Sequence, residues 1–221
     1  MHSAKKASLL FDIDNTLVNR DAAFHAYLRN FISRNQAEFS GEDMSVVHEE
    51  IMALDCHGRK DRELFCHDLL QRYPDLPYTA ESLWQDHMSL PEFVKPDQAL
   101  NEMLERLSAD YQLMIISNGS ANMQRRKLQR AGLRDYFEHI FISAEVGYAK
   151  PDHRLFSHAL SHSHHDSVVM IGDDYINDMQ PAMVMKLTTV FINPENENFA
   201  IRPDHELSSI HDLEEVLTCM I

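Results

Sequence analysis

Cysteine is scarce in this sequence. The 221-residue chain has three cysteines, Cys56, Cys66 and Cys219, and no two of them are spaced as CxxC. An odd, widely spaced set does not form a disulfide framework, and a chain of this length does not need one. We therefore expect a reducing compartment, and the cytoplasm in particular.

Glycine, proline and long apolar runs are scarce as well. The chain contains 6 glycines and 8 prolines against 44% hydrophobic residues, which predicts an ordered globular protein of one large domain or two smaller ones. The first apolar run stops at Asp12, too early for a secretory leader, and no stretch has the length of a membrane span. We expect no membrane partner.

Basic residues are also few relative to acidic ones. There are 20 lysines and arginines against 35 acidic residues, a net charge of −15. This balance argues against nucleic acid or an anionic membrane as the main partner. A small anionic substrate stays compatible with it, because one bound cation and one lysine reverse the field locally.

The most informative stretch is SLLFDIDNTLV, at Ser8–Val18. Its apolar start predicts a short buried strand, and the strand leads directly into Asp12 and Asp14. Carboxylates two residues apart on an extended chain point the same way. Since two buried like charges are costly without a cation or a proton, the pair indicates a functional site.

The rest of the chain divides into two parts with different predicted secondary structure. Residues 20–93 show helical periodicity with almost no strand signal, whereas strands and helices alternate from Pro96 onward. Alternation of this kind predicts an α/β fold, a parallel sheet with helices on both faces. We predict a core of residues 1–17 and 94–221 and a helical domain of residues 18–93.

Polar residues follow several of the predicted strands. The carboxyl ends of parallel strands share one edge of a sheet, so these side chains should meet although they are distant in sequence. Carboxylates suit Mg²⁺, while lysine and hydroxyl groups suit phosphate oxygens, an inventory typical of phosphoryl transfer. The residues are Asp12, Asp14, Thr16, Ser117, Asn118, Lys150, Asp173 and Asp174.

Four motifs, DIDNT, ISNGS, GYAKPD and GDDYIND, occur in that order. In this the chain resembles the haloacid dehalogenase-like (HAD) hydrolases along its whole length. The resemblance implies a Rossmann-like core, and it implies that the helical insert is a cap of the C1 type. It also implies an enzyme that uses an aspartyl-phosphate intermediate and Mg²⁺.

The resemblance also implies roles for single residues. Asp12 would be the nucleophile, Asp14 the general acid and base, and Lys150 the cation that balances the charge around the transition state. Phosphate would be bound by Thr16, Ser117, Asn118 and Lys150. Mg²⁺ would be bound by Asp12, the backbone carbonyl of Asp14 and Asp173, with Asp178 in support.

Asp14 favours one reaction of the family over another. A halide leaving group needs no proton, so an acid two residues after the nucleophile indicates an oxygen leaving group. We therefore predict a phosphatase that acts on a small soluble phosphomonoester of the nucleotide or sugar phosphate type, as a monomer or homodimer. A phosphomutase and a catalytically silent ligand-binding member are the alternatives.

Other polar segments have simpler interpretations. The basic run Arg125–Arg134 should spread over a solvated helix face, and the His-rich segment His158–His165 reads as a polar helix end, with adventitious metal binding as the alternative. Arg20, Arg59 and Lys60 could contact an anionic substrate or be ordinary surface charges.

Overall fold

A computed structural model describes residues 5–39 and 41–220. Residues 1–4 of the predicted core, Ser40 of the predicted helical domain and Ile221 lie outside this range. The chain divides into two compact units, one through Val18 and from Pro96 onward, the other Asn19–Lys95. That the second unit acts as a cap stays a prediction.

The strands are β1 (Ser8–Phe11), β2 (Gln112–Ser117), β3 (His139–Ile142), β4 (Val168–Gly172), β5 (Thr188–Ile192) and β6 (His205–Leu207). The helices are α1 (Arg20–Arg34), α2 (Met44–Asp55), α3 (Arg62–Arg72), α4 (Ala80–His87), α5 (Gln98–Asp110), α6 (Ala121–Ala131), α7 (Ser143–Val146), α8 (His153–Leu160), α9 (Gln180–Val184) and α10 (Leu213–Met220). A π-helical turn, Tyr175–Met179, precedes α9.

The core unit is a six-stranded sheet in the order β3-β2-β1-β4-β5-β6, and every neighbouring pair is parallel. The predicted α/β Rossmann-like fold is confirmed. Successive strands step outward from β1 through β2 to β3, whereas β4, β5 and β6 extend the other way. The order therefore reverses between β1 and β4, which is where open α/β sheets bind ligands.

Apolar side chains fill both faces of the sheet. Leu10 is in register with Met114 and Met170, and all three belong to one buried cluster with Leu155 and Phe156 of α8. A strand buried on both faces needs continuous apolar sequence, which is why β1 reads as an uninterrupted run.

The last strand of the sheet leaves little trace in the sequence. β6 pairs in parallel with β5, and α10 follows it. The three residues of β6 are His, Glu and Leu, none of them fully buried. A polar edge strand this short leaves no apolar run in the sequence.

The helical unit has its own core. The rings of Phe24, Tyr27, Phe65 and Trp84 surround the buried side chain of His87, with centroid distances of 5.4–5.8 Å. Periodic apolar residues on α1, α3 and α4 create this core, as the helical spacing predicts. Among the described residues, no helix combines the length and the hydropathy needed to cross a membrane.

Candidate active site

Three adjacent strands bring the predicted site residues to one edge of the sheet. β1 lies between β2 and β4, with Phe11 in register with Ile115 and Ile171. Asp12 therefore emerges between Ser117, the last residue of β2, and Asp173, the residue after β4. This placement depends only on parallel pairing, so it follows from where the apolar runs end.

Asp12 and Asp178 share the ammonium group of Lys150. Lys150 Nζ donates to Asp12 Oδ1 at 2.5 Å and to Asp178 Oδ1 at 2.7 Å. All three side chains are buried, and Asp178 and Lys150 are 28 residues apart in sequence. Two buried carboxylates thus face one cation, which leaves an excess of negative charge.

The pKa values reflect that excess. Burial raises the pKa of Asp12 to about 7, because the attraction of Lys150 is opposed by the negative charges of Asp178 and Asp14. Burial likewise raises the pKa of Asp178. For Lys150, burial alone would lower the pKa, but the two carboxylates outweigh it and hold the pKa above the ordinary value.

Asp178 lies directly against the end of β4. A Cβ atom added at Gly172 would lie 2.6 Å from Asp178 Cγ, closer than packed atoms approach. Glycine is therefore required where the strand meets this carboxylate. The fourth motif thus needs a residue without a side chain at Gly172 as well as the carboxylate of Asp178.

Asp14 has a separate set of partners. Lys127 Nζ lies 2.5 Å from its Oδ1, and Gln124 Nε2 donates to its Oδ2 at 2.9 Å. Both partners are on α6, and both are buried. The expectation that the whole basic run lies on a solvated face is therefore wrong for Lys127, whose side chain is 3% exposed.

Gln124 and Lys127 are the residues that the sequence analysis misses. Their spacing of three places both on one helix face, a signal that was present. Leu128 and Ala131 are buried on the same helix, so Lys127 stands within an apolar stripe. A lysine in that position is a better site indicator than the count of basic residues around it.

The turn after Asp14 is built on an unusual backbone. Asn15 has a left-handed φ of 56° and donates its N–H to the carbonyl of Val18 at 2.7 Å. Asparagine tolerates this conformation better than most residues. Thr16 is buried beside it, and its hydroxyl lies 3.4 Å from Asp173 Oδ1.

Asn118 is tied to the loop that carries Lys150. Its Nδ2 donates to the carbonyl of Lys150 at 2.9 Å, and its Oδ1 accepts from the backbone N–H of Lys150 at 2.7 Å. The side chain therefore bridges two motifs. Ser117 is buried, and its hydroxyl accepts a hydrogen bond from Gln124 Nε2 at 2.7 Å.

Asp173 and Asp174 are neighbours with different surroundings. Asp174 Oδ1 accepts from the backbone N–H groups of Ile176 and Asn177, each at 3.0 Å. It is thus the N-cap of the π-helical turn. Asp173 instead lies with the carboxylates of the site.

Two groups of described side chains have the spacing of metal ligands. Carboxylate oxygens of Asp12, Asp173 and Asp178 lie within 4.8 Å of one another, as do ligand atoms of Glu138, His139 and His164. The first group is all oxygen and carries excess negative charge, which fits a hard divalent cation such as Mg²⁺.

The second metal-ligand group contains His164 of the His-rich segment, but its Glu138 also receives hydrogen bonds from Lys5 and Gln112. His162 has partners of its own, since its Nδ1 lies 3.0 Å from the carbonyl oxygen of His158. The interpretation of this segment as a polar helix end stays a prediction.

The candidate substrate-contacting residues of the helical unit differ in exposure. Arg20 is buried, and its guanidinium pairs with both oxygens of the buried Asp55. Lys60 Nζ lies 2.5 Å from Asp68 Oδ2, and Arg59 is exposed. Arg20 therefore serves the packing of its own unit.

Known proteins are similar to this chain in sequence. The family described as haloacid dehalogenase-like hydrolase matches residues 9–192. The pyrimidine 5'-nucleotidase YjjG of Escherichia coli (strain K12) is 32% identical over 134 residues, 58% of this chain and 60% of that relative. Glyceraldehyde 3-phosphate phosphatase of Pyrococcus abyssi is 28% identical over 193 residues, 83% of this chain and 79% of the relative.

A solved structure agrees with the fold. The HAD-hydrolase YfnB from Bacillus subtilis, crystallised with bound magnesium, aligns with a TM-score of 0.76 at 24% identity, covering 97% of this chain and 99% of that one. The match along residues 9–192 spans all four motifs. The chain belongs to the haloacid dehalogenase-like hydrolases.

Proposed function

We propose that this protein is a Mg²⁺-dependent phosphatase that hydrolyses a small phosphomonoester through an aspartyl-phosphate on Asp12. The observation that carries the proposal is that two carboxylates, only two residues apart in sequence, have different surroundings. Asp12 is buried against Lys150, whereas Asp14 is partly exposed and contacts Lys127. One site thus offers a nucleophile and an independent proton carrier.

The carboxylates of Asp12 and Asp173 would hold the metal, and Asp178, whose carboxylate lies within 4.8 Å of theirs, would support them. The backbone carbonyl of Asp14 stays a predicted ligand, from the family resemblance. Bound Mg²⁺ would neutralise the carboxylates and polarise a phosphate oxygen. The excess negative charge around Lys150 is what makes a divalent cation fit this position.

In the first step, a carboxylate oxygen of Asp12 attacks phosphorus and the bond from phosphorus to the ester oxygen breaks. Asp14, in its protonated form, gives its proton to the departing oxygen. In the second step, a water oxygen attacks the same phosphorus and Asp14 takes a proton from that water. Inorganic phosphate leaves, and Asp12 is a carboxylate again.

The other predicted residues support these steps. Lys150 offsets charge at the nucleophile and at Asp178, and Ser117 offers a hydroxyl to the phosphoryl oxygens. Asn118 keeps the loop of Lys150 against β2 through its two hydrogen bonds to the backbone of Lys150. Thr16 fixes the turn next to Asp173.

The relatives support a small phosphorylated metabolite as the substrate. Their names identify a pyrimidine 5'-nucleotidase and a glyceraldehyde 3-phosphate phosphatase. A pyrimidine nucleotide and a triose phosphate share a phosphomonoester but differ in the size and chemistry of the leaving group. We therefore propose that the core unit binds the phosphomonoester group. A panel of substrates then identifies the leaving group.

The test is hydrolysis of p-nitrophenyl phosphate with Mg²⁺ and with EDTA, for the wild type and for Asp12→Asn. We expect activity only for the wild type with Mg²⁺. Equal inactivity of both proteins would refute the proposal. A panel of UMP, CMP and glyceraldehyde 3-phosphate, followed by phosphate release, then ranks the substrate classes.

A further inference from the structure

We propose that Gln124 and Lys127 are positioning residues, which hold the carboxylate of Asp14 in the orientation needed for proton transfer. The inference rests on the proposed phosphatase function and extends it to α6. Neither residue lies in any of the four motifs. Both nevertheless contact the carboxylate of Asp14 directly.

Each oxygen of Asp14 has its own donor. Lys127 Nζ is 2.5 Å from Oδ1, and Gln124 Nε2 is 2.9 Å from Oδ2. Two donors on different oxygens fix the plane of a carboxylate, which a single contact would leave free to rotate. Because a carboxylate oxygen has two lone pairs, accepting from one donor does not prevent it from carrying a proton.

Both side chains are buried, so their contacts with Asp14 are part of the packed interior and not chance contacts at the surface. Lys127 is 3% exposed and Gln124 is 2% exposed. Taking an ammonium group out of water is costly unless a negative group faces it. Arg125 on the same helix provides the contrast, since its side chain is 41% exposed and pairs with Glu145 at the surface.

Gln124 also connects Asp14 to the second motif. Its Nε2 lies 2.7 Å from Ser117 Oγ and 3.0 Å from the carbonyl oxygen of Asn118. One amide group therefore contacts the proton carrier, the hydroxyl proposed for phosphate binding and the backbone after it. The helix that follows β2 thereby sets the distance between acid and phosphoryl group.

The inference predicts a leaving-group effect. An ester with a poor leaving group, such as an alkyl phosphate, depends on the proton from Asp14, whereas p-nitrophenolate departs with little help. Misorienting Asp14 should therefore slow the alkyl ester more than the aryl ester. A general loss of structure would slow both equally.

The experiment compares kcat and KM of Lys127→Met, Gln124→Leu and the control Arg125→Met on glycerol 2-phosphate and p-nitrophenyl phosphate. We expect the two buried-site variants to lose about 10- to 100-fold more kcat/KM on the alkyl ester than on the aryl ester. The ratio kcat/KM is the readout because it reports the step that releases the alcohol, whereas kcat also includes the hydrolysis of the aspartyl-phosphate, which both esters share. Arg125→Met should match the wild type on both. Circular dichroism checks that each variant is folded, and Gln124→Leu carries the test if Lys127→Met does not fold.

A second comparison uses Asp14→Asn as the background. Once the proton carrier is gone, adding Lys127→Met or Gln124→Leu should leave the ratio of the two rates unchanged. Equal losses on both esters, or an effect that persists in this background, would overturn the inference. A wild type inactive on both esters would instead overturn the proposed function, and the inference with it.

Discussion

Lys150 and Asp178 form a buried ion pair, with 2.7 Å between Nζ and Oδ1, and Asp12 shares the same ammonium group. The family motifs place these residues far apart in sequence, and the parallel sheet brings them together. One positive charge between two buried carboxylates leaves the site short of positive charge. The consequences of that shortage can be measured without a substrate.

The first prediction concerns stability against pH in the absence of divalent cations. The pKa of Asp12 is about 7 in the folded chain against an ordinary 3.8, so between these values the folded state holds a proton that the unfolded chain has released. The stabilisation is complete below about pH 4 and is lost as the pH rises through 7. Asp12→Asn removes the part of this titration that belongs to Asp12 and should therefore be more stable than the wild type at pH 8, by at most about 4 kcal/mol.

Urea denaturation in EDTA at pH 5, 6, 7 and 8 measures this difference. The control is Asp152→Asn, because Arg154 holds the pKa of that partly exposed carboxylate at about 2, so the carboxylate does not titrate in this range. We expect the curve of the control to parallel that of the wild type. Parallel curves for Asp12→Asn and the wild type would contradict the prediction.

The second prediction separates two adjacent acids. Asp173→Asn should weaken Mg²⁺ binding at least tenfold, because it removes a ligand from the oxygen cluster. Asp174→Ala should leave Mg²⁺ binding close to that of the wild type and lower the free energy of unfolding by about 1 kcal/mol, since it removes an N-cap. Isothermal titration calorimetry with MgCl₂ measures the binding of both variants, and urea denaturation measures their stability. Weakened Mg²⁺ binding in Asp174→Ala, with unchanged binding in Asp173→Asn, would refute the prediction.

The third prediction concerns the helical unit. Arg20→Met removes one of the two guanidinium groups that face the buried carboxylate of Asp55 and leaves only Arg62, whose Nη1 lies 2.8 Å from Asp55 Oδ1. The substitution should cost about 2 kcal/mol of unfolding free energy. Lys60→Met breaks the pair with Asp68, where both side chains are partly exposed, and should change the free energy of unfolding far less than Arg20→Met does. Chemical denaturation of both variants provides the comparison. Similar small changes for the two would show that Arg20 is not a packing residue.

The site and the sheet were largely predictable from the sequence, and the reason is topological. Buried strands read as apolar runs, and their ends mark one edge of the sheet, so Asp12, Ser117 and Asp173 could be grouped from the sequence pattern alone. Asn15 was also predictable, since its residue type suits the left-handed backbone it adopts.

Other features could not be predicted, because they depend on partners that local patterns do not identify. The position of Lys127 in the apolar stripe of α6 predicts that its side chain is buried, but only the folded chain shows that the carboxylate it faces is that of Asp14. The sequence left Arg20 as either a substrate contact or an ordinary surface charge, but the side chain is buried and its partner Asp55 lies 35 residues away on another helix. A basic residue in a sequence shows its charge and not which carboxylate it faces.

The last prediction concerns Gly172. An added Cβ would lie 2.6 Å from Asp178 Cγ, and the backbone of a central strand cannot move away. Gly172→Ala should therefore displace the Asp178 carboxylate, lower the free energy of unfolding by about 1–3 kcal/mol and weaken Mg²⁺ binding. The matched control is Ala159→Gly in α8, which perturbs the same core unit by about 1 kcal/mol without touching the carboxylates. If both variants bind Mg²⁺ equally well, the contact between Gly172 and Asp178 does not set the geometry of the site.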